Sequence, residues 1–155
     1  MSKTSLLARW DAIGLDRRIA SVLLGGVAML VCELRFEHRE ALGETWRSWI
    51  PIVYGIATFL VGSAALLRWE RGGRKVLAVL FGAGLLVGLL GCWFHTGGHP
   101  FNGVRDVVST WLVTPGKDGG IKMGSRPPAL APLALCGLGT LGLLACTSRR
   151  TPRSL

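Results

Sequence analysis

The chain has 155 residues, half of them hydrophobic, with a mean hydropathy of +0.44 and a net charge of +9. That apolar share points away from a soluble globular domain and toward a membrane protein. The 18 Lys and Arg residues are dispersed among polar connections, with no basic run interleaved with aromatics, so the positive charge does not indicate nucleic-acid binding.

The first 15 residues place Leu6, Leu7, Trp10 and Ile13 near one helical face, with Lys3 and Arg9 elsewhere. This pattern predicts a short helix lying on the membrane surface. Next come four long apolar stretches, at 19–34, 50–67, 76–94 and 127–147, of which the last three contain no charged residue. They are apolar on all faces, and a bilayer core of ~30 Å needs about 20 such residues in a helix. The expected fold is an all-α integral membrane protein forming one domain. Four transmembrane helices, at about 19–36, 50–68, 76–95 and 127–147, pack in an antiparallel bundle. The first stretch does not read as a cleaved signal, because no small-x-small site follows its apolar core. Val31 before Cys32 is also too bulky for lipoprotein processing.

Ser48 is expected to cap the second span and Pro51 to sit in its first turn, where a missing N–H costs little. Arg71-Gly72-Gly73-Arg74-Lys75 predicts a tight turn joining spans two and three. Gly97-Gly98 and Pro100 end the third. In the 96–126 loop, Val104, Val107, Val108, Trp111 and Leu112 recur at helical spacing and predict a short amphipathic helix. All six tryptophans, at 10, 46, 49, 69, 93 and 111, fall at span ends or in flanking loops, as in an interfacial aromatic belt. The N-terminus, the 68–75 loop and the C-terminus carry most of the basic residues, while acidic residues favour the two other loops. By the positive-inside rule both termini face the cytoplasm, in a membrane of the bacterial inner type.

Small residues mark the helix faces expected to meet: Gly84, Gly88, Gly91 and Cys92 on the third span, Ser21, Gly25 and Gly26 on the first, Gly139, Gly142 and Ala145 on the fourth. Gly84-x-x-x-Gly88 reads as close packing inside the bundle more than as a homodimer signal. Cys32, Cys92, Cys136 and Cys146 lie within or at the ends of spans and read as small hydrophobes. A Cys32–Cys92 disulfide is the minor alternative. No Cys-x-x-Cys, Walker loop, dinucleotide fingerprint, His-Glu-x-x-His or serine nucleophile elbow occurs. No ionisable residue lies at mid-span, where transporters bind their substrates.

One polar cluster stands out. Glu33, Arg35, Glu37, His38 and Arg39 end the first span, and His95 and His99 end the third. At ~1.5 Å per residue, Glu33 lies about 21 Å along its span, while His38 and His95 both lie about 28 Å along theirs. Glu33, Glu37 and His95 are expected to face the bundle interior. Glu33, Glu37, His38, His95 and His99 offer the mixed oxygen and nitrogen donors that suit a transition metal, and His38 with His95 could ligate a haem b. The competing structural reading pairs Glu33 with Arg35 or Arg39, leaves His95 bonding a helix-end carbonyl, and makes His99 a loop residue. The leading functional expectation is a non-enzymatic subunit or accessory of a larger membrane assembly, with the lipid bilayer and a membrane protein or a second copy as partners. A metal- or haem-binding redox protein is the alternative.

Overall fold

The computed structural model describes residues 13–37, 39, 41–99, 101, 104–105 and 130–148. The predicted surface helix at the N-terminus, most of the amphipathic 104–112 segment, residues 127–129 of the fourth stretch, Trp10 and Trp111 lie outside the described residues. Those described are all-helical in their regular elements: α1 (Leu15–Glu37), a short α2 (Ala41–Glu44), a 3₁₀ turn (Trp46–Ser48), α3 (Trp49–Leu67), a second 3₁₀ turn (Trp69–Arg71), α4 (Gly73–His95) and α5 (Leu130–Thr147). Three helices are long and apolar enough to cross a membrane, within Leu15–Phe36, Trp46–Leu67 and Gly73–His95, and the apolar part of α5, Pro132–Thr147, is shorter.

Boundaries differ from expectation where backbone geometry outruns hydropathy. α1 starts at Leu15, ahead of its apolar stretch, with Asp16 in its first turn opposite the positive end of the helix dipole. Ser21 returns its hydroxyl to the Arg17 carbonyl at 2.8 Å. Before α3 the capping role falls to Thr45 rather than Ser48. Thr45 is extended (φ −141°, ψ 131°) and accepts from the Arg47 N–H, whereas Ser48 is helical and makes no side-chain cap bond. The reason is that the 3₁₀ turn runs straight into α3, so the non-helical residue lies three positions earlier. Pro51 does fall in the first turn.

The turn between α3 and α4 depends on glycine twice. Gly72 has φ 92°, a left-handed conformation. A Cβ on Gly73 would run into the carbonyl oxygens of Ala65 and Arg68. At the other end of α4, Gly97 (φ 61°) and Gly98 (φ 81°) return their N–H groups to Phe94 and Trp93. Thr96 adds a hydroxyl bond to Cys92 O at 2.9 Å. This is the predicted stop.

The helices form a ring in which α1 packs on α3, α3 on α4, α4 on α5 and α5 on α1. The α4–α5 seam is the most extensive. Gly88 lies against Cys136 and Pro132, Gly139 against Leu85 and Phe81, and Arg74 against Cys146 and Ser148, so numbers run in opposite senses along the two helices. Of the small-residue faces predicted for α4 and α5, Gly88, Gly91, Gly139 and Gly142 pack in this seam, whereas a Cβ on Gly84 would meet Tyr54 of α3. On α1 the prediction holds only in part: Gly26 meets Leu138, but a Cβ on Gly25 would meet nothing within 4 Å.

One core cluster joins Ala20, Leu24 and Val27 to Trp69, Leu77 and Phe81, near the start of α1 and α4. A second gathers Leu30, Leu34, Ile52 and Leu135 near the end of α1. Trp69 departs from the aromatic belt, being 6% exposed and part of the first core, while Trp46, Trp49 and Trp93 stand exposed near helix ends as expected. Tyr54 ties α3 to α4 by donating to Leu80 O at 2.7 Å. In a low-dielectric surround such a bond also satisfies a second lone pair on a carbonyl already used by its own helix.

Candidate functional site

Where α1 and α4 end and α3 and α5 begin, the ring encloses a cavity of about 350 Å³. Its walls are apolar: Leu30 and Leu34 from α1, Val87 and Phe94 from α4, Pro132 and Leu135 from α5. Gly88 and Gly91 line it from α4 where they pack against Cys136 and Pro132 of α5, and Pro51 and Pro132 line it from the first turns of α3 and α5. Its polar groups sit together. Thr45, Arg47 and Ser48 come from the turn entering α3, and His95 is the last residue of α4. The Arg47 guanidinium lies over the Phe94 ring, 5.2 Å from its centroid, a cation–π arrangement that holds the charge at the mouth. His95 is half-buried, with its Nδ1 shielded from solvent.

The predicted polar cluster is only partly assembled. His95 faces inward as expected. Glu33 does not: it is exposed, and the interior expectation for it is overturned. The buried face of α1 runs through Val27, Leu30 and Leu34, and Glu33 instead continues the outward stripe of Val22 and Met29, which are 65% and 72% exposed. His99 is exposed beyond Gly97-Gly98. His38 and the side chain of Glu37 lie outside the described residues. Among the described residues no three His, Cys, Asp or Glu side chains come together as a metal site.

All four cysteines are free, Cys32 exposed and Cys92 half-buried, so the minor disulfide expectation is not met. Across the α4–α5 seam the Cys136 thiol instead donates to Leu85 O at 3.7 Å. Sequence reading missed Arg47 and Thr45 as site residues, because nothing in their local pattern reports a stacking partner 47 positions away. The one available signal was Thr45 followed by Trp46-Arg47 just before an apolar span, a basic and aromatic pair at an interface.

No family model matches the chain, no curated protein is significantly similar to it, and no solved structure significantly matches its fold.

Proposed function

We propose that the protein is a four-span antiparallel membrane bundle, non-enzymatic, serving as a small subunit or accessory of a larger assembly in a bacterial-type inner membrane, with both termini cytoplasmic. The observation that carries this reading is how little of each long span its own bundle covers. Of the span windows in α1, α3 and α4, 33%, 28% and 22% are buried inside the chain. The remainder is apolar surface that needs lipid or another membrane protein against it. The fourth span is supported by the seam, along which α5 runs beside α4 from Pro132 near Gly91 to Cys146 near Arg74.

Two measurements test this. In a chain whose native cysteines are replaced, Asp118→Cys is expected to react with an impermeant thiol reagent in intact cells. Glu70→Cys and Arg150→Cys should react only once the cytoplasm is opened. The reverse pattern would invert the topology. Purification in mild detergent is expected to bring down a second membrane protein, or a second copy, at fixed stoichiometry. A monodisperse single chain would sink the assembly reading.

His95 beside the cavity supports a second reading, a haem- or metal-binding redox protein in which His95 and His38 are the nitrogen donors, and Glu33, Glu37 and His99 the remaining candidates. The same preparation separates the two: this reading expects a Soret band or stoichiometric metal, and the first expects neither.

A further inference from the structure

We propose that the cavity takes one acyl chain of an anionic phospholipid from the adjoining leaflet, with its phosphate held at Arg47. The inference rests on the membrane reading and is independent of the assembly reading. The apolar walls suit a hydrocarbon chain, and a volume of about 350 Å³ lies in the range of small-ligand pockets, ~300–1,000 Å³. The charge at the mouth selects the headgroup. Among the described residues the lining includes Arg47, His95, Thr45 and Ser48, all able to donate to a phosphate oxygen, and no Asp or Glu.

Arg47 is placed for this by its neighbours. It sits in the 3₁₀ turn two residues before α3, so it lies at the membrane surface where α3 enters. Its guanidinium rests on Phe94 while its edge remains exposed, leaving N–H donors able to fork around a phosphate. Ring and chain then act together. Phe94 lines the same cavity whose mouth Arg47 guards, so a bound lipid would touch both with its two chemically different ends.

The test uses the full chain in neutral detergent, titrated with short-chain phosphatidylglycerol, phosphatidylcholine, or inorganic phosphate, and read by thermal unfolding and by native mass spectrometry. Phosphatidylglycerol should raise the unfolding temperature and persist as one bound lipid per chain. Phosphatidylcholine should do so at least tenfold more weakly, and phosphate should do nothing. Arg47→Gln should weaken phosphatidylglycerol binding about tenfold, as expected for one charge-assisted contact. Arg39→Gln, an exposed cation outside the cavity lining, should leave it unchanged. Val87→Trp, which fills the cavity, should abolish the single bound lipid while leaving the melting curve in detergent cooperative. Equal effects of Arg47→Gln and Arg39→Gln would show general attraction of anionic lipid to a cationic protein and overturn the proposal. A response to phosphate alone would also overturn it, by showing a headgroup site without a chain site.

Discussion

Gly139→Ala is expected to destabilise the protein by about 1–3 kcal/mol, although it adds a single methyl group to a helix and improves helix propensity. The added Cβ would stand 2.6 Å from Leu85 N and 2.7 Å from Phe81 O, distances that carbon atoms do not tolerate. Both neighbours are backbone of α4, so no rotamer change relieves them. The helices must part along the most extensive seam in the molecule. A gap of 0.5–1 Å already forfeits a quarter to a half of each dispersion contact across it. In a bilayer those contacts are the main source of helix association, since lipid supplies no hydrophobic drive.

Gly137→Ala is the internal control. It lies on the same helix with nothing within 4 Å of its would-be Cβ, so it should be neutral or slightly stabilising. Gly88→Ala meets Cys136 N and Pro132 O at 2.8 Å and should resemble Gly139→Ala. The double change should cost less than the sum, because one separation of α4 from α5 accommodates both methyls. Thermal unfolding in detergent reads all four proteins. Equal melting of Gly137→Ala and Gly139→Ala would mean that the seam is not held by close backbone approach.

What the amino-acid pattern discloses and what it hides divide along physical lines. The existence of long apolar helices follows from composition alone, because a helix in lipid must be apolar on every face. The three long helices overlap the expected stretches, with α1 starting earlier at Leu15, and the α3–α4 turn stands where it was expected. Rotation about a helix axis is harder. On α1, Leu30 and Met29 are 100° apart, and assigning Glu33 to the Leu30 face or the Met29 face decides whether it points in or out. With apolar residues all round, no amphipathic contrast distinguishes the two, and Glu33 lies on the Met29 side. Glycine was the better guide, since small residues on α4 and α5 report on backbone approach directly. The site was legible only at His95. Arg47 belongs to it through Phe94, and Trp69 leaves the aromatic belt for the core; both depend on tertiary contacts that carry no local signature.

Arg74→Ala is expected to cost about 2–4 kcal/mol and to loosen the end of α5 before the rest of the bundle melts. In sequence Arg74 is one of several basic residues in a connecting turn and serves only to orient the chain. In the fold its Nε donates to Cys146 O at 2.6 Å, a terminal Nη2 donates to Ser148 O, and the guanidinium lies 6.0 Å over the Trp69 ring. The last carbonyls of any helix lack intrahelical donors, and at the edge of a membrane water replaces them poorly. A cation there also meets the negative end of the helix dipole. Arg74 thus joins the end of α5, the start of α4 and the turn between α3 and α4 in one place. Because it is half-buried, the contact should respond weakly to salt, unlike an exposed ion pair. Arg74→Lys keeps the charge but not the fork, so it should recover part of the loss and leave one of the two carbonyls without its donor. Hydrogen exchange at residues 143–148 should rise first in Arg74→Ala, ahead of any change around Leu30 and Leu135. Stability within about 0.5 kcal/mol of the parent, the range of an unremarkable surface substitution, would show that the three elements are held together without it.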